Sequence, residues 1–91
     1  MKIVINATYG GFGLSSEALR EYNVRVGTNL SWDTSISRND PLLIEIVERL
    51  GKAANGEFAE LKIVEIPDGV DWEIEEYDGN EWVSEVHRTW R

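Results

Sequence analysis

The apolar positions of this 91-residue chain fall into two kinds of pattern. In "KIVIN" (2–6) they run almost without interruption and are β-branched, which predicts a strand covered on both faces. In "NDPLLIEIVERLG" (39–51) they recur every three to four residues. Leu42, Leu43, Ile46, Val47 and Leu50 then share one helix face. Asp40 caps that helix, Pro41 takes its first position and Gly51 stops it. Glu45 and Arg49 are spaced as an i,i+4 ion pair on its outer face.

Between these lies "NATYGGFGLSSEALREY" (6–22), a glycine-rich stretch leading into a second helical pattern. Ser15 is a natural N-cap, Glu17 suits the first turn, and Leu14 with Leu19 fits a hydrophobic staple. The helix is expected from 15 to about 22, with Ala18, Leu19 and Tyr22 inward. In residues 23–39, "VRV" reads as a short strand ended by Gly27. The remainder has the Ser, Thr, Asn and Asp content of a surface loop anchored by Trp32 and Ile36. "KAANGEFAE" extends the second helix loosely until Asn55-Gly56 breaks it.

"LKIVEI" (61–66) predicts a second buried strand stopped by "PDG". "DWEIEEYDGNEWVSEVHRTW" (71–90) reads as a hairpin, since Asp78-Gly79 is a type I′ turn signal between aromatic and β-branched positions. A helix over 80–90 is the rival, because Trp82 and Val86 also stand four apart. The expected fold class is α+β: one domain over 1–91, about four mostly antiparallel strands, two helices packed on the sheet, and a C-terminal β-hairpin.

Composition supports a globular chain: 42% hydrophobic, 29% charged, with four Trp. There is no cysteine and a single histidine, His87, so thiolate and histidine metal sites are not expected. No apolar run approaches the roughly 18 residues of a membrane span, and the N-terminus lacks a signal peptide's long apolar region. A cytoplasmic location is expected. The net charge of −8 is confined to one part of the chain. Residues 1–56 are balanced, whereas residues 57–91 set eleven acids against Lys62, Arg88 and Arg91. Such a charge repels nucleic acid and anionic membranes, so neither is an expected partner.

Three stretches carry candidate chemistry, each with a plainer reading. The loop Tyr9, Gly10, Gly11, Phe12, Gly13 and Ser15 joins a strand to a helix N-terminus, where free amides suit an anion and Tyr9 or Phe12 suits a ring. It lacks the P-loop lysine and the G-x-G-x-x-G spacing; the plainer reading is a tight turn with Phe12 as a core plug. His87, Arg88 and Trp90 suit a phosphate and a stacked base, or else glutamate pairs and a cover for the core edge. Glu73, Glu75, Glu76, Asp78, Glu81 and Glu85 suit a basic partner or mimic DNA phosphates, or else form a solvated face that protects a strand edge. No catalytic constellation is expected, and the acids read as exposed.

Taken together, "KIVIN…YGGFGLS", "NDPLLIEIVERLG…LKIVEIPD" and "IEEYDG…EWV…EVHRTW" resemble an uncharacterised family of small phage and prophage proteins. The resemblance covers most of the chain except residues 23–37. Those relatives often carry a cysteine where Ala7 or Thr8 stands, so no thiol chemistry is carried over. It implies a phage setting in a host cell rather than a reaction; accessory proteins of this size commonly counter host defence. The expected function is therefore non-enzymatic, without cofactor: sequestration of a phosphorylated, nucleotide-like signal at Tyr9–Ser15 with His87, Arg88 and Trp90, in a homo-oligomer that supplies the pocket walls. The alternative is an acidic inhibitor or DNA mimic acting on a host protein through residues 57–86.

Overall fold

A computed structural model describes residues 1–29 and 36–85. In chain order it has β1 (Lys2–Asn6), α1 (Ser16–Val26), α2 (Pro41–Leu50), a 3₁₀ turn (Gly51–Ala54), β2 (Leu61–Glu65), β3 (Trp72–Tyr77) and β4 (Asn80–Glu85). The α+β expectation holds: two helices, four antiparallel strands and a C-terminal hairpin. The strands do not form one sheet. β1 pairs with β2 around Val4–Ile63, and β3 pairs with β4 around Ile74–Val83, as two separate ladders.

The helices form where caps and periodicity place them. The Ser15 hydroxyl accepts from Ala18 N–H at 3.1 Å, and the Asp40 carboxylate accepts from Leu42 and Leu43 N–H. Helix α1 runs further than 22. The "VRV" read as a strand is its last turn, ended by Gly27 at φ 78°. Short alternation over three residues has less hold than a helix already nucleated and capped upstream. The faces of α1 and α2 meet around Ala18, Tyr22, Leu43, Ile46 and Val47, with Val4 of β1 and Ile36 closing the core. The expected Glu45–Arg49 pair is replaced by pairs between the helices: Arg25 with Glu45 at 2.9 Å, and Arg49 with Glu21. Tyr22 donates to Asp40 at 2.7 Å, so α1 also touches the cap of α2.

Strand β1 is buried from Ile3 to Asn6, as its unbroken apolar run requires. Strand β2 is only half-buried, against expectation: Leu61 and Ile63 pack against the core, while Lys62 and Glu65 are exposed. The hairpin turns at Asp78 (φ 51°) and Gly79 (φ 88°), two successive positive values that define a type I′ turn. This excludes the rival helix over its described part, 80–85. Among the described residues no helix is long and apolar enough to cross a membrane.

Candidate functional site: the hairpin and the glycine loop

The hairpin is held against β1 by side chains rather than by a strand ladder. The edge of β1 away from β2 presents the backbone of Val4 and Asn6. Val4 N–H donates to the Arg38 carbonyl at 2.9 Å, and the Arg38 guanidinium donates to the Val4 carbonyl at 3.2 Å. Asn6 N–H donates to Glu81 Oε1 at 2.8 Å, so a carboxylate stands where a neighbouring strand's carbonyl would. Arg38 grips both oxygens of Glu81, at 2.7 and 2.8 Å. Glu81 also faces Glu76 across the hairpin. Like charges in that position repel, and the guanidinium compensates one of them. Of the six hairpin acids expected to be exposed, Glu81 is the exception, with 8% exposure.

The fully buried Asn6 completes the joint. Its Nδ2 donates to the carbonyls of Thr8 (2.6 Å) and Gly79 (2.7 Å), and its Oδ1 accepts from Glu60 N–H (2.8 Å). One amide thus ties the end of β1 to the glycine loop, the hairpin tip and the approach to β2.

The glycine loop lies between the hairpin tip and residues 55–58. A Cβ on Gly10 would stand 1.7 Å from the Phe58 carbonyl oxygen; one on Gly56 would stand 2.8 Å from Gly13, and one on Gly79 2.6 Å from Gly11 N. Gly11 differs: its φ is +89°, and a Cβ there would meet nothing within 4 Å. Phe12 packs on the core with the Arg38 guanidinium 3.6 Å above its ring. Ser15, besides capping α1, donates its hydroxyl to the Ala53 carbonyl and its N–H to that of Ala54. Tyr9 is exposed. The structure therefore gathers Tyr9–Ser15 in one place, while His87, Arg88 and Trp90 lie outside the described residues. Surface clefts lie along α1 near Arg20 and Asn23, beside Lys52, and at the open end of the hairpin between Ile66 and Trp72; residues 9–15 line none of these three.

The ladder register sorts the hairpin into two faces. Trp72, Ile74, Glu76, Glu81, Val83 and Glu85 share one. Glu73, Glu75, Tyr77, Asn80, Trp82 and Ser84 share the other, the outward face. There Tyr77 is 72% and Trp82 44% exposed. The Trp82 indole N–H donates to Glu75 Oε2 at 3.0 Å, and the Ser84 hydroxyl donates to the same oxygen. Exposed Tyr9 lies beside the hairpin tip, where a Cβ on Gly79 would meet its carbonyl, and exposed Phe58 lies beside Gly10. Reading the sequence for charge alone missed this combination of aromatic and acidic side chains. The period-2 alternation of Glu73, Glu75 and Tyr77 was the available signal. Arg38 and Asn6 gave no signal, since each acquires its role from residues more than forty positions away.

Among the described residues no group of three or more acidic or histidine side chains is arranged to hold a metal. Comparison with protein-family models, curated proteins and solved structures finds no match to this chain. Its function is argued from its own geometry.

Proposed function

We propose that this is a non-enzymatic binding protein that docks a basic protein surface through the outward face of its hairpin. The observation that carries the reading is the exposed pair Tyr77 and Trp82 standing among Glu73 and Glu75. Acids alone are adequately explained by solubility and protection of strand edges. Large aromatics left in water on the same face are the residues that dominate binding energy at protein interfaces, and the surrounding carboxylates select a cationic partner. In the phage setting suggested by sequence, a host protein is the target. The test is photo-cross-linking in host lysate from a probe at Tyr77, with the exposed Val24 of α1 as control. A product specific to Tyr77, lost at high salt, is expected. Equal labelling from both positions removes the hairpin face as the site.

One observation favours the nucleotide reading as a second proposal. A Cβ on Gly11 would point into open space at positive φ, so a ligand can approach its Cα from the side away from Gly79. Self-association would supply the walls that one copy lacks at the loop. Calorimetry with linear and cyclic nucleotides separates the two proposals: saturable binding lost in Gly11→Ala, with folding retained, supports the loop.

A further inference from the structure

We infer that Trp82, Tyr77 and Glu75 form a seat for an arginine side chain of the partner. The inference rests on the hairpin-face reading and specifies its partner chemistry. Trp82 stands directly opposite Glu75 in the ladder, and Tyr77 lies two positions along β3 on the same face. Two donors, the Trp82 indole and the Ser84 hydroxyl, converge on Oε2 of Glu75. That fixes the carboxylate and, through it, the indole before any partner arrives, so less side-chain freedom is lost on binding. Both of these bonds fall on Oε2, and among the described residues no donor is placed on Oε1 of Glu75.

The outward face carries carboxylates and aromatic rings with no lysine or arginine among its described residues. Within the fold the same three components are complete: the Arg38 guanidinium lies over the Phe12 ring while Glu81 holds its two ends. The hairpin face presents the ring and the carboxylate of that arrangement and leaves the cation to be supplied. A planar guanidinium can donate to Oε1 and lie against an aromatic face at once; an ammonium, as a point charge, gains less from the rings.

The experiment compares nona-arginine and nona-lysine peptides, equal in charge, by fluorescence anisotropy at about 0.15 M salt, where long-range attraction is screened. The intact chain is expected to bind nona-arginine about fivefold more tightly. Trp82→Leu, which keeps net charge and apolar character, is expected to bring that ratio close to one and to leave nona-lysine binding unchanged. Glu75→Gln should also lower the ratio, whereas Glu73→Gln should weaken both peptides alike. Circular dichroism on each variant confirms folding, and the Trp82 indole N–H resonance should shift with nona-arginine. Equal affinity for the two peptides, or discrimination that survives in Trp82→Leu, overturns the seat and leaves the acidic-face reading standing. Failure of both peptides to bind overturns the seat and that reading together.

Discussion

Arg38 and Glu81, 43 positions apart, meet in a two-point ion pair with contacts of 2.7 and 2.8 Å. The same carboxylate takes Asn6 N–H, and the same guanidinium takes the Val4 carbonyl. The pair therefore closes an edge of β1 and fastens the hairpin to the helical part of the fold. Breaking such a pair from one side leaves a charge buried without a partner, which costs about 3–5 kcal/mol. Arg38→Met, which strands the buried Glu81, should fall near that range, and Glu81→Leu, which leaves the half-buried Arg38, should cost less. The double variant should cost less than the sum of the two, because neither charge is then stranded. Urea unfolding of the three variants measures this; strict additivity would show that the two side chains act independently.

The hairpin tip leaves no room at Gly79. Its φ of +88° disfavours any L-residue, and a Cβ would also strike the backbone of Gly11 and Tyr9. Gly11 shares the positive φ, but a Cβ there would meet nothing within 4 Å. Gly11→Ala should therefore cost only the left-handed conformation, about 1–2 kcal/mol. Gly79→Ala should cost more, and Gly79→Val more again. Thermal melts should rank the three in that order, and equal losses at the two glycines would remove the close approach from the account.

Ile46 is completely buried on α2, facing the core shared with α1 and β1. Ile46→Ala should destabilise by about 2–5 kcal/mol through lost burial and the cavity left behind. That is a large share of the stability expected of one small domain. Chemical denaturation measures it; a loss within about 0.5 kcal/mol, as at surface sites, would place the side chain outside the core.

Tyr22 has its pKa raised by its hydrogen bond to Asp40, then by burial, then by the Asp40 charge. The unfolded chain releases this proton near the ordinary tyrosine value of about 10, whereas the folded chain retains it. The contribution of the bond is therefore complete below that pH and is lost as pH rises through the higher folded value. Tyr22→Phe should be less stable than the parent by a constant amount from neutral pH to about pH 10, and the gap should narrow above it. Denaturation midpoints across that range report the difference; a gap independent of pH throughout would show that the hydroxyl does not titrate with folding.

Much of this fold is local chemistry and could be read without coordinates. Ser15 and Asp40 cap because their side chains reach amides two or three residues on, and Pro41 and Gly51 bound α2 through their own backbone preferences. Asp78-Gly79 specifies its turn because those two residues tolerate positive φ. The end of α1 departs from the strand expected at 24–26, because a three-residue alternation does not outweigh the helix that precedes it. Glu45 pairs across to Arg25 rather than along its own helix because α1 is packed beside it, and packing is invisible to spacing.

The sequence by itself determined the helix starts, the end of α2, the hairpin and the confinement of negative charge to the last third, since each depends on neighbours within a few positions or on composition. Tertiary structure alone decided that Glu81 leaves the acidic face to pair with Arg38, that Asn6 ties three segments together, and that Trp82 and Tyr77 stand in water beside Glu75. Those outcomes depend on which segments meet across the fold and on which face each alternating side chain is left after they meet. A buried charge or amide must find partners wherever the chain brings them, and that requirement has no fixed separation along the sequence.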